Sequence, residues 1–313
     1  SSRKPKPYLV VLDVGHGSAA VLHDEGGTLI VDAGPAGAHV GRHLRALGVR
    51  RVEAMLLSHA DADHIGGAIT LLLDVSVRIG EVLLNSDSSK ESEVFRQLCV
   101  ALADANRRAQ TRINGRLTTS TRLERKGAQV EVLHPPDAWA LAGAGSKSPT
   151  GQRLTSNSLS AAVRISHGPK CSVLLGADIE FGCLDEWKAK GIQPSACVLV
   201  FPHHGGLPGT SDVSEAGLFA FELVKAVMPD VVVFSNHRAR FENPRDEVLA
   251  GIAKANPTAR FACTQLPARI HSRIAVEEQW SLHRSAKPSG IIEGSLRLEF
   301  LKDTVRCYFE TTA

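Results

Sequence analysis

Residues 56–68 read LLSHADADHIGGA. The apolar run Val52, Ala54, Met55, Leu56 and Leu57 predicts a buried strand, and Ile65 to Leu73 resume as a helix after a small, charged interruption. Four potential metal ligands, His59, Asp61, Asp63 and His64, therefore share one strand-to-helix turn. Such a turn can aim His59 and Asp61 to one side and Asp63 and His64 at a neighbouring point. Carboxylate oxygen with imidazole nitrogen suits zinc, manganese or iron, and two such ions held close share a hydroxide. The alternative is an acidic helix N-terminus, with Asp61 or Asp63 capping and the histidines incidental.

Towards the N-terminus, Tyr8–Val14 predicts a strand that ends in a tight turn at Gly15–Ser18. Ala19–His23 and Thr28–Val31 follow as strands joined by the hairpin signal DEGG. Asp13 and Asp32 each end a strand beside glycine. Loop capping is the favoured reading of both, with orientation of the metal-bearing turn as the alternative. His16, between two glycines, is placed to touch substrate. His39–Leu47 predicts a helix ended by Gly48. A strand meander passing into strand-helix alternation indicates a layered α/β protein.

Towards the C-terminus, Glu81–Leu84 is a short predicted strand and Ser92–Arg108 a helix with an apolar stripe. Residues 107–126 then carry Arg107, Arg108, Arg112, Arg116, Arg122, Arg125 and Lys126 against the single acid Glu124. Such a run is ordinarily a solvated face, but beside a phosphoesterase site it would hold a polyanion. Val130–Leu133 predicts a strand, and residues 137–156 a loop rich in Gly, Ser and Pro, of the length that is usually functional or disordered.

Leu159–Ile165 and Ser172–Leu175 pair as a hairpin that places Asp178 at a strand tip, as a loop cap or a ligand. Phe181–Lys190 is a predicted helix, and the strand Ala196–Phe201 runs into Pro202-His203-His204-Gly205-Gly206. Adjacent histidines at a core-facing tip cost stability unless their nitrogens are partnered, and a metal supplies the partner. Val231–Ser235 is a strand, 246–255 a helix, Arg260–Thr264 and Arg273–Val276 short strands, and 291–309 a closing hairpin.

With 43% hydrophobic and 22% charged residues over 313 positions, the chain holds a full core, and no composition break divides it. A net charge of +3 excludes a polycation of the histone kind, so nucleic acid would have to meet a local patch. Six scattered cysteines without a CxxC pair read as buried thiols in a reducing compartment, and a cytoplasmic location is expected. There is neither a signal-peptide pattern nor an apolar span long enough to cross a membrane, and residues 1–7 are expected to be disordered.

Taken in order, DVGHGSAAVL, LIVDAGP, LLSHADADHIGGA, VLHPP, NSLS, VLLGAD, FPHHGG and FSN-to-NP resemble the metallo-β-lactamase-fold hydrolases. The pattern is most similar to the nuclease-like domain of competence DNA-uptake channels (ComEC-like). The resemblance spans roughly residues 8–265 and implies an αββα sandwich, two mixed sheets flanked by helices in two pseudo-repeated halves, with a two-metal site at the sheet edges. By this resemblance His59 and Asp61 bind the first ion and Asp63 and His64 the second. Asp178 bridges the two, and one or both of His203 and His204 complete the set. The family's third-motif histidine is replaced by Asn157-Ser158, as in the competence-like branch, which makes the first site oxygen-rich and leans towards manganese.

Three departures point to a diverged substrate preference. His16 and Ser18 replace the Gln and Asp of the usual DVGQGDA turn, Asn243-Pro244 replaces a His-Pro pair, and Thr264-Gln265-Leu266 replaces a Thr-Asp-Gly pattern. His237 can substitute for the missing histidine.

The expected activity is metal-dependent phosphodiester hydrolysis of DNA or RNA by hydroxide held between two divalent ions, Mn²⁺ or Zn²⁺, with Asp178 bridging and Asp63 orienting the nucleophile. His16, His203 and His237 are candidates for the leaving-group acid. His16, Asn157, Ser158, His237 and Asn243 are the expected substrate contacts. The same chemistry on a cyclic nucleotide, a phosphorylcholine-like ester or a lactone is the first alternative. A catalytically idle binding module is the second.

Overall fold

The computed structural model describes residues 6–87, 89–267, 270, 294–301 and 303–309. Its first half runs β1 (Tyr8–Val11), β2 (Ala19–Asp24), β3 (Gly27–Ala33), α1 (Val40–Ala46), β4 (Arg51–Leu57), α2 (Ala62–Leu73), β5 (Arg78–Leu84), α3 (Glu93–Ala109) and β6 (Arg112–Asn114). The second half runs β7 (Gln129–His134), α4 (Asp137–Ala142), β8 (Ala162–Ser166), β9 (Ser172–Leu175), α5 (Phe181–Lys190), β10 (Val198–Val200), α6 (Val213–Val227), β11 (Val231–Phe234), α7 (Asp246–Ala255) and β12 (Arg260–Cys263). The hairpin β13 (Leu296–Phe300) and β14 (Val305–Phe309) closes the chain back onto β1.

The strands form an eight-stranded sheet in the order β14-β13-β1-β2-β3-β4-β5-β6 and a six-stranded sheet in the order β12-β11-β10-β9-β8-β7. Each sheet is mixed. An antiparallel meander (β1-β2-β3, β7-β8-β9) leads into parallel strands joined through helices (β3-β4-β5-β6, β9-β10-β11-β12). Alternation along each strand divides the core into layers. Leu9, Val11, Leu29, Val31 and Leu56 pack between the sheets against Val163, Val173, Val200 and Val233. Their alternates Val10, Ile30, Met55 and Leu57 face outwards, under Leu44, Ile65, Leu71 and Leu98 of α1, α2 and α3. On the far face Leu174, Leu199 and Phe234 lie under Leu184, Phe219, Leu223 and Ile252 of α5, α6 and α7. The result is the expected αββα arrangement. Each such fully buried side chain contributes about 1.5–3 kcal/mol relative to exposure.

Several expectations are corrected. The segment 137–156 is ordered: it opens with α4, carries a bridge between Lys147 and Arg153, and closes over its own small core of Trp139, Ala144, Leu154 and Leu159. The unassigned stretch after His204 holds α6, a 15-residue helix capped by the Asp212 side chain. Of the N-terminal segment, residues 1–5 lie outside the described residues, but the Pro7 carbonyl accepts the Phe300 N–H at 3.1 Å, so residue 7 is tied into the sheet. The strand expected at 273–276 also lies outside them. Cys99 is exposed on α3, unlike the buried Cys171 and Cys183. Among the described residues no helix is long and apolar enough to cross a membrane.

Candidate metal centre

The C-terminal ends of β1, β3, β4, β9, β10 and β11 meet at one edge of the sandwich, and the turns that follow them carry nearly every singled-out residue. Two glycines make the approach possible. A Cβ on Gly67 would lie 2.1 Å from the Ala33 carbonyl oxygen, so α2 seats against the end of β3 only with glycine there. Gly17, at φ +147°, brings its turn so close that a Cβ would lie 2.4 Å from the Asp63 carbonyl. Asp32, Ala177, His203 and His204 also hold positive φ angles of 45–56°. Non-glycine residues pay for that conformation, and such strain collects at functional turns.

Asp61 occupies the N-cap position of α2, but its carboxylate makes no capping bond, and Asp63 faces away from the helix end towards His204. The capping alternative therefore fails. Instead, three of the imidazoles, those of His64, His59 and His204, are fixed through Nδ1. Asp32, 1% exposed, accepts from the Ser58 N–H at 2.7 Å, the Ser58 hydroxyl at 2.8 Å and His64 Nδ1 at 2.7 Å. With its proton given to Asp32, Ser58 Oγ accepts from His59 Nδ1 at 3.0 Å. Ser160 Oγ lies 3.3 Å from the same nitrogen and accepts the Asp178 N–H at 2.9 Å. His204 Nδ1 donates to the Ser235 carbonyl at 2.8 Å. An acceptor on Nδ1 selects the tautomer whose Nε2 lone pair is free to bind a metal.

Those Nε2 atoms converge on carboxylates. His64 Nε2 lies 3.3 Å and His59 Nε2 3.7 Å from Asp178, and His204 Nε2 lies 3.2 Å from Asp63. His203 is turned round, with Nδ1 3.4 Å from Asp178. A lone pair aimed at a carboxylate is repelled unless a proton or a cation lies between them. His59 Nε2, His64 Nε2, Asp178 Oδ1 and His203 Nε2 are moreover buried without a hydrogen-bond partner. This donor set fits divalent cations.

The ionisation balance shows a site that attracts positive charge. Burial opposes charge on Asp178, but His203, His64 and His59 hold it well below the usual carboxylate range. Burial alone would lower His64, and Asp178 and Asp32 on its two sides overcome that and raise it well above its ordinary value. Burial, reinforced by His64, lowers His59 to about 4. Burial also opposes charge on Asp63, yet the His204 hydrogen bond and the nearby His64 hold it below its ordinary value.

The donors fall into two groups, and these differ from the sequence-based pairing. His59, His64 and Asp178 form a fully buried group, and His16, Asp63 and His204 form an outer one; in each, the ligand atoms lie within 4.8 Å of one another. Asp63 and His64 are successive on α2 and fall in different groups, yet His64 lies close enough to Asp63 to lower its pKa. Asp61 faces His59 Nε2 at 3.9 Å and carries an ion pair with Lys90. His16, expected as a substrate contact, is drawn into the outer group, 3.5 Å from Asp63 and with its ring 4.4 Å from that of His204. Burial and then His204 lower it to about 4.

A cavity of about 410 Å³ opens over these side chains, with Leu207, Phe241, Asn243 and Arg245 on its walls. Asn243 is buried, and its amide reaches the His203 carbonyl at 3.4 Å. The other expected substrate contacts are placed elsewhere. Ser158 is buried and donates to Glu180 at 3.1 Å, Asn157 lies in the short turn before β8, and His237 accepts the Ala239 N–H at 3.1 Å in its own loop.

Sequence reasoning missed Ser58, Ser160, Lys90, Phe241 and Arg245, and favoured loop capping for Asp32. Asp13 does cap, accepting the Gly15 N–H at 3.1 Å. Asp32 instead orients the histidines. Its place at a strand end beside glycine was the available signal, and for Lys90 there was none.

The sequence model of the Metallo-beta-lactamase superfamily matches residues 12–98. No curated protein matches the chain. Among solved structures, the metallo-beta-lactamase fold protein YhfI from Bacillus subtilis aligns at a TM-score of 0.52 and 14% identity, over 82% of this chain and 96% of its own. Zn²⁺-bound PqqB from Methylobacterium extorquens aligns at 0.48 and 13%, over 81% and 97%. A diphosphatase from the PhnP family aligns at 0.47 and 11%, over 82% and 94%. The chain has the metallo-beta-lactamase fold, and the superfamily's sequence model matches its residues 12–98.

Proposed function

We propose that this protein is a metal-dependent phosphodiester hydrolase with single-stranded nucleic acid as its substrate class. The observation that carries the reading is the convergence of the Nε2 atoms of His59, His64 and His204 on the carboxylates of Asp178 and Asp63. His59, His64, Asp178 and Asp61 would hold one divalent ion, and Asp63, His204 and His16 a second, with His203 beside Asp178. Bound there, the ions would supply hydroxide at neutral pH and neutralise charge growing on the phosphoryl oxygens. The mixed imidazole and carboxylate donor set suits manganese as well as zinc.

The chain's own residues do the rest. Asp32, Ser58 and Ser160 hold the imidazoles and Asp178 in place before substrate arrives. Arg245 on the cavity wall supplies a guanidinium for a phosphate oxygen. Phe241, 56% exposed at the same mouth, offers a face to an unstacked base. The replacement of the third-motif histidine by Asn157-Ser158 is the pattern of the competence-like branch and supports the same class.

A second reading, a small phosphodiester, is favoured by the fate of the basic run. Arg107 and Arg108 pair with Asp104, Arg112 with Glu81, Arg116 with Asp137 and Arg125 with Asp24. None of them lines the cavity. The test is a panel of single-stranded and duplex DNA, RNA and small phosphodiesters assayed with manganese, magnesium and zinc, beside an Asp178→Ala control. Cleavage of single strands, abolished by Asp178→Ala with the circular dichroism unchanged, is expected. Unchanged activity in that variant would remove Asp178 from the mechanism.

A further inference from the structure

The loop between β5 and α3 reads SDSSKES, and nothing in its composition marks a site. Its described residues nonetheless make specific contacts. Asp87 is 4% exposed, and its Oδ1 accepts from the Ser89 N–H at 3.1 Å and the Ser89 hydroxyl at 2.7 Å. The Lys90 N–H donates to the Asp87 carbonyl at 3.2 Å. This turn brings Lys90 to Asp61 on the cavity wall, and its ammonium donates to Asp61 Oδ1. The other oxygen of the same carboxylate faces His59 Nε2 at 3.9 Å. Asp61 has no capping bond to make, so its two oxygens are divided between a lysine and the metal-facing imidazole.

Resting on the metal-centre reading above, we propose that Lys90 is a positioning residue that competes with the bound cation for Asp61. The ammonium holds Asp61 to one free oxygen and cancels its charge, so the pair presents the neutral charge of an imidazole while keeping an oxygen donor. Two cations sharing one carboxylate repel each other, and Lys90 therefore keeps the affinity of the buried site below what its carboxylates alone would give. Lys90 and Asp61 side chains are 28% and 30% exposed, so solvent screens the repulsion without removing it.

The test is calorimetric titration of the chelated protein with manganese. Lys90→Met should tighten one of the binding steps roughly tenfold, with Lys90→Arg binding as the wild type does. In an Asp61→Asn background Lys90→Met should change nothing. Lys90→Gln serves as a second uncharged variant, and circular dichroism checks the fold of each. Equal or weaker binding by both uncharged variants overturns the proposal, as does an effect that persists without the Asp61 carboxylate. A wild-type protein that takes up no manganese or zinc would instead sink the metal-centre reading itself.

Discussion

Asp32 shows how much a buried residue can decide without facing the cavity. Its carboxylate serves three donors at once, and through Ser58 it reaches both His59 and His64. Replacing it with Asn keeps the shape but turns one acceptor into a donor, so His64 loses its anionic partner and Ser58 its fixed hydroxyl. Groups that orient metal-binding imidazoles in this way typically contribute 10- to 100-fold to affinity. Asp32→Asn is accordingly expected to weaken zinc or manganese binding by roughly that factor in a chelator-competition assay. Affinity equal to wild type would show that the ring orientations are set elsewhere.

Between elements, the basic stretch is the instructive case. Read along the chain, residues 107–126 look like an uncompensated positive run, because their acids come from α3, β5, α4 and the end of β2. Arg125 is the most structural of them. Its guanidinium meets both oxygens of Asp24 at 2.8 and 2.7 Å, and the pair is 7% and 1% exposed. Asp24 also accepts the Gly26 and Ala128 N–H groups at 2.8 Å, so it ties the β2–β3 hairpin to the chain entering β7 in the second sheet. Arg125→Ala would leave this carboxylate buried without its charge partner, at a cost of about 3–5 kcal/mol. Urea denaturation followed by circular dichroism measures it, and a loss under 1 kcal/mol, of the size typical of exposed pairs, would contradict the assignment.

At the scale of the molecule, a net charge of +3 and a basic run in which five of the seven residues pair with acids leave the cavity mouth as the main source of attraction for substrate. Few phosphate contacts mean a shallow dependence on salt. If a strand of nucleic acid is the substrate, raising salt from 50 to 200 mM should lower its kcat/KM by roughly tenfold, well short of the thousandfold or more of a protein making six to ten phosphate contacts. Cleavage of a small chromogenic phosphodiester should hardly change. A steep loss for the strand would require a positive track beyond the cavity mouth, and equal responses for both substrates would favour the small-ester reading.

Alternating apolar strands, the Gly-containing turns at their ends and the His-Asp and His-His clusters that follow Leu57 and Phe201 were legible in the sequence alone. Period, turn chemistry and ligand type are local properties, and they determined a layered α/β protein with metal-type donors at strand ends. Which donors share a point was not local. Asp63 and His64, neighbours in the chain, fall in different groups, and the face-to-face packing of two sheets brings Asp178 beside His59, His64 and His203. The roles of Asp32, Ser58, Ser160 and Lys90 likewise emerged only from tertiary structure. A hydrogen bond or ion pair between side chains decades apart leaves no periodicity behind, and only the folded backbone sets which groups lie within 3 Å.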